Sequence, residues 1–147
     1  MKTGVLLVNL GSPDSTKVSD VRKYLRQFLM DERVINAPWP IRWFIVNCLI
    51  LPFRPKHSAA AYEKIWLPEG SPLVVTSLKT RVALQERMKL PVELAMRYQN
   101  PSIEKAVDSL KEQGVDEVVV VPLFPHYAMS SYESALVRVQ EVVEQRA

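Results

Sequence analysis

The chain has 147 residues, 48% of them apolar and 24% charged, with a net charge of +3. That balance fits one globular domain and excludes a disordered chain. Basic and acidic residues are interspersed, which argues against a nucleic acid partner. The single Cys48 excludes an internal disulfide framework and fits a reducing compartment.

Met1-Lys2-Thr3 leads straight into the apolar run GVLLVNL over residues 4–10, and no small-residue cleavage site marks a signal peptide. The run ends at Gly11-Ser12-Pro13-Asp14. A continuous apolar run closed by a tight turn predicts a strand buried on both faces of a parallel sheet. Val18, Val21, Leu25, Phe28 and Leu29 then recur at helical spacing, with Ser15 or Thr16 as the expected N-cap.

The middle is irregular, with five of the 11 prolines between Pro38 and Pro68. Short helices are expected near residues 41–49 and 59–65. The segment 37–55 reads APWPIRWFIVNCLILPFRP, and its longest uncharged run, Trp43 to Phe53, falls short of the ~20 residues of a membrane span. Composition leaves two readings of it. One is a buried helix bracketed by prolines. The other is an apolar lip that touches a membrane or receives an apolar ligand. Gly70-Ser71-Pro72 marks a turn, and Val74, Leu78, Val82, Leu84 and Met88 give a helical stripe over residues 73–88.

Regular alternation then returns. VELAMR at 92–97 predicts a strand. Pro101-Ser102 opens a helix with Ile103, Ala106, Val107 and Leu110 on one face, closed by Gly114 as C′ residue. EVVVVPL at 117–123 predicts a third strand, 125–131 a loop, and 132–144 a last helix. The fold class is therefore α/β, a doubly wound parallel sheet of three to four strands. Ligands of such sheets bind beyond the carboxyl ends of the strands, which directs attention to loops 10–15, 98–102 and 124–131. The pattern stops after a helix, where another strand is expected, so the unit reads as truncated before a second domain.

Loop 9–13 has one glycine, so it is neither a dinucleotide fingerprint nor a phosphate loop. His57 and His126 lie far apart and Cys48 neighbours neither, so no metal-ligand set is assigned. Arg54, Lys56, Lys64 and Arg97 are candidate anion partners. Solvated surface charge is the ordinary reading for all but Arg97, which sits at a strand end before Tyr98. An apolar, aromatic-rich lip beside basic residues suits a large, flat, apolar ligand bearing carboxylates, and equally a protein partner or a membrane surface.

Four ordered blocks carry a family resemblance. GVLLVNLGSPD, LPFRPKHSAAAYEKIW with GSPL, AMRYQNPSIEKAV, and VVVVPLFPHYAMSSYES resemble successive segments of the ferrochelatases, with the chain as the amino-terminal half. The resemblance implies two similar domains around a porphyrin cleft, and insertion of ferrous iron into protoporphyrin IX during haem biosynthesis. The whole of 1–147 would be the first domain, with 37–55 as its lip. It implies porphyrin contacts at Leu10, Arg54, Tyr62, Ser71, Arg97, Tyr98, Tyr127, Ser130 and Ser131. Leu10 would be a steric wall, because leucine cannot ligate a metal. Residues 39–53, from Trp39 to Phe53, would close over the macrocycle and make peripheral contact with a membrane. The implied location is cytoplasmic, or peripheral at the inner membrane.

The family's catalytic histidine lies in the other half, so no catalytic or metal residue is assigned here, and the chain alone is expected to be inactive. No cofactor is implied, and ferrous iron enters as substrate. Met129 stands where some members carry a cluster cysteine, so no iron–sulfur cluster is expected. The alternative function is a non-catalytic tetrapyrrole-binding module, or a single-domain chelatase acting as an oligomer. Loop 10–14 lacks the histidine that small chelatases use. A third reading is an inert fragment that self-associates through an unpaired sheet edge.

Overall fold

A computed structural model describes residues 1–146. Three parallel strands, β1 (Thr3–Gly11), β2 (Val92–Tyr98) and β3 (Glu117–Pro122), form one sheet in the order β2-β1-β3. The register pairs Leu7 with Leu94 on one side and with Val121 on the other. β1 is central, which is why Val5, Leu6, Leu7 and Val8 are apolar at consecutive positions and all buried.

Helices α5 (Ile103–Glu112) and α6 (Ser134–Arg146) cover one sheet face. They bury Leu6, Val8 and Ala95 against Ile103, Leu110, Ala135 and Val142. Helix α4 (Pro72–Met88) covers the other face, where Val5, Leu7, Val92, Leu94 and Met96 meet Val74 and Leu84. A third cluster lies beyond the carboxyl ends of the strands. There α1 (Val18–Leu29) and α3 (Arg54–Ile65) pack Val21, Tyr24, Leu25 and Ala59 around Tyr98. Leu6 has no exposed surface, so Leu6→Ala is expected to cost about 2–5 kcal/mol, read as a lowered midpoint in chemical denaturation.

Several boundaries differ from the sequence expectation. Neither Ser15 nor Thr16 caps α1; Lys17 holds that position without a side-chain cap. The Ser15 hydroxyl instead accepts from the Lys17 amide and donates to Asp20, closing the turn one step early. The predicted 41–49 helix starts sooner, as α2 (Trp39–Phe44), and continues as a π-helical turn over Ile45–Ile50. Proline suits a first helical turn, where its missing N–H is not needed, and the same reason starts α3 at Arg54 ahead of Pro55 rather than at 59. The last helix is preceded by a π-helical turn over Met129–Glu133. Gly114 follows α5 with φ of 72°, as its C′ role requires.

The stripe predicted for α4 is corrected. Val75 and Ser77 are its buried residues, while Leu78, Val82 and Met88 are exposed. The helix covers β1 and β2 with one side, and among the described residues nothing covers the other. β3 shows the same incompleteness, with Val119 and Val121 exposed. Of the two readings of 37–55, burial fails. Trp39, Ile41, Trp43, Phe44, Leu49 and Phe53 all project outward, while Arg42 and Val46 are buried.

Candidate functional site

The loop after β1 is shaped by one glycine. Gly11 has φ of +120° and lies against β2, where an added Cβ would sit 2.1 Å from the Tyr98 carbonyl oxygen. That close approach brings Leu10 to the edge of the cluster around Tyr98, with Tyr62 packed on the same cluster. Tyr62 stacks edge-on to Trp66 at 6.1 Å. Burial raises its phenol pKa, and Arg54 nearby opposes that rise. Leu10, Tyr62 and exposed Arg54 therefore share one neighbourhood, a leucine wall flanked by a phenol and a guanidinium.

Beneath it lies a polar hub that the sequence reading did not weigh. The Asp31 side chain is 4% exposed and forms an ion pair with Arg97 Nη2 at 2.9 Å. The Tyr98 hydroxyl donates to the same carboxylate at 2.8 Å, as does the Ser134 hydroxyl. The Arg33 amide donates to its other oxygen at 2.9 Å. Burial opposes ionisation of Asp31, but these donors and the Arg97 charge outweigh it and hold the carboxyl below its ordinary range. Arg97 Nε donates to the carbonyl and hydroxyl of Ser134, and the guanidinium lies over the Tyr98 ring at 4.6 Å. Burial pushes the Tyr98 phenol up to about 12, so it remains a donor at working pH.

Tyr98 has no exposed surface. In this geometry it cannot touch a ligand beside Arg97 and instead holds Asp31 from below. Arg97 keeps 18% of its side chain exposed. Its Nη1 makes no hydrogen bond among the described residues, and this is the donor left for a ligand.

The third loop is tied to the same place. Tyr127 donates to Glu133, and Arg33 Nε donates to the other Glu133 oxygen at 3.2 Å. Ser130 and Ser131 lie on the π-helical turn carrying Glu133. Asp31 and Arg33, just beyond α1, thus fasten both the second and third loops. Ser71 is set apart. It is buried at the start of α4 and lines a groove of about 470 Å³ with Pro13, Asp14, Asn100 and Pro101.

His126 is exposed, and exposed His57 lies against the Phe53 carbonyl at 3.3 Å. Among the described residues no group of three or more His, Cys, Asp or Glu side chains could hold a metal ion. The arrangement offers an apolar wall, phenols and two guanidinium groups.

Residues 2–147 match the family model described as Ferrochelatase. The chain is 52% identical over 141 residues to a protein of Coxiella burnetii named ferrochelatase, covering 95% of this chain and 40% of that protein. A ferrochelatase of Opitutus terrae is 49% identical over 146 residues, covering 97% and 42%. One of Stutzerimonas stutzeri is 49% identical over 142 residues, covering 96% and 41%. The chain therefore spans about two fifths of the length of these relatives.

Proposed function

Because the chain belongs to the ferrochelatase family, we propose that it forms one wall of a porphyrin cleft in a protein that inserts ferrous iron into protoporphyrin IX during haem biosynthesis. The observation that carries this reading is that Leu10 and Tyr62 pack on the apolar cluster around Tyr98, with Arg54 near Tyr62 and the Asp31-paired Arg97 over the Tyr98 ring. Leu10 presents a flat apolar contact to the macrocycle. Arg54 and Arg97 Nη1 answer carboxylates or the polar centre of the ring. Tyr127, Ser130 and Ser131 line the side formed by the third loop.

Metal insertion requires that pyrrole protons leave, and a base near neutral pKa suits that task. Among the described residues none is assigned as that base. Polypeptide beyond these residues would supply it, docking where β3 has an unpaired edge and Val119 and Val121 are exposed.

Absorbance titration with metal-free protoporphyrin tests the reading. Binding is expected without iron insertion when ferrous iron is added. Arg54→Ala is expected to weaken binding about 10-fold, the loss of one charge-assisted contact. Substantial iron insertion by the purified chain would refute the assignment of the base elsewhere, and absence of binding would refute the cleft. The same open β3 edge favours a second reading, tetrapyrrole binding between associated copies. Light scattering during the titration separates it from binding by one copy.

A further inference from the structure

Tyr127, Glu133 and Arg33 form a chain of contacts that does more than fasten the third loop. The Tyr127 hydroxyl donates to one oxygen of Glu133. Arg33 Nε donates to the other at 3.2 Å. Arg33 is held in turn, because its amide donates to Asp31 at 2.9 Å. The Tyr127 ring lies 5.6 Å from the ring of Tyr132, which braces it on a second side. Tyr127 is nevertheless 65% exposed. A tyrosine that open to solvent ordinarily turns freely, and this one is fixed by a carboxylate and a ring.

A phenol has one proton to donate and lone pairs that accept. Here the proton is committed to Glu133. The bond from Tyr127 and the Arg33 guanidinium hold the Glu133 carboxyl below its ordinary range. The same bond raises the Tyr127 phenol, and Arg33 opposes that rise. Tyr127 therefore shows solvent an oxygen that accepts, beside a negative charge. Such an oxygen disfavours an ionised carboxylate, which has no proton to give, and suits a hydrogen-bond donor. In a metal-free porphyrin the donors are the pyrrole N–H groups at the ring centre, and the carboxylates lie at the periphery.

We propose that Glu133 is a positioning residue that commits the Tyr127 proton, so that Tyr127 accepts from the pyrrole N–H groups and leaves the carboxylates to the guanidinium groups. This orientation of the ligand deepens the cleft reading and rests on it.

The experiment is absorbance titration of the chain with metal-free protoporphyrin and with its dimethyl ester, which lacks ionised carboxylates and keeps the N–H groups. Arg54→Ala is expected to weaken binding of the free acid only. Tyr127→Phe is expected to weaken both ligands by about fivefold, the loss of one hydrogen bond. Glu133→Ala is expected to act by a similar factor on both, and the two substitutions together no more than Tyr127→Phe alone. Glu133→Gln, whose amide oxygen still accepts from the phenol, is expected to restore most of the affinity. A ligand-free alkaline titration reads the pairing directly. The Tyr127 phenolate, taken as the absorbance difference from Tyr127→Phe, should form above the ordinary phenol value of about 10 and return toward it in Glu133→Ala. Unchanged circular dichroism and thermal midpoint serve as the folding control. Should Glu133→Ala misfold, Tyr127→Phe on the two ligands and the phenolate titration of the parent still decide.

A Tyr127→Phe effect that vanishes with the ester overturns the proposal, because Tyr127 would then meet a carboxylate. Additive losses at the two positions overturn it, because Glu133 would then act independently of Tyr127. An unshifted Tyr127 phenolate in the parent overturns the pairing itself. A parent chain that binds neither ligand overturns the cleft reading and this orientation with it. Binding of both that Tyr127→Phe leaves unchanged overturns the orientation alone.

Discussion

Replacing Asp31 with alanine is expected to destabilise the chain by about 3–5 kcal/mol, because it leaves a partly buried guanidinium and a buried phenol without their shared acceptor. In a chain of this size that lowers the thermal midpoint by roughly 10–15 °C. Arg97, Tyr98 and Ser134 all direct donors at this one carboxylate, so their positions should loosen together. Porphyrin affinity should fall in the same variant, since Arg97 Nη1 is aimed by the pairing of Nη2. A double-mutant cycle with Arg97→Met checks this. Strong coupling supports the hub, and additive losses sink it.

The acid limb of stability follows from the same group. The folded state holds the Asp31 carboxyl below its ordinary value. Its stabilising contribution is therefore fully present above the unfolded pKa of about 4 and is lost as pH falls through the lower folded value. The parent chain should lose stability on acidification below about pH 4 more steeply than Asp31→Asn, as read from denaturation midpoints across that range.

Gly11→Ala is the second large effect. A Cβ here would lie 2.1 Å from the Tyr98 carbonyl oxygen, a backbone atom that cannot swing aside, and φ is +120°. Backbone in that region costs a side chain about 1–3 kcal/mol, and relieving the clash adds about 1–3 kcal/mol. The expected result is a loss of roughly 2–6 kcal/mol, with the loop after β1 displaced from β2. Amide exchange of Tyr98 and Gln99 reads the displacement. Exchange and midpoint like those of the parent would show that the loop tolerates a side chain and does not depend on this approach.

Much of the scaffold was legible because it is local. Residues 5–8 and 118–121 are apolar at consecutive positions, and that pattern suits strands of a parallel sheet. The helical face of Ile103, Ala106, Val107 and Leu110 was read correctly because all four bury against the sheet. The α4 stripe was misread because periodicity says that a face is apolar, not that something lies on it. The burial of Tyr98 was missed for a similar reason. A tyrosine at a strand end reads as a pocket residue until α1 is seen to pack Tyr24 and Phe28 against its ring.

The Asp31 hub had no local signal. Met30-Asp31-Glu32-Arg33 reads as a solvated charge cluster after a helix. The partners of Asp31 stand 66, 67 and 103 positions further along. The sequence by itself determined the family, the parallel alternation and the loops where a ligand would sit, because short-range patterns and motif order encode them. Only the tertiary structure decided which of those loop residues keep an open surface, that Asp31 and Arg33 fasten the second and third loops, and that the lip faces outward. Those outcomes depend on burial and on hydrogen bonds between distant segments, which exist only once the chain has closed on itself.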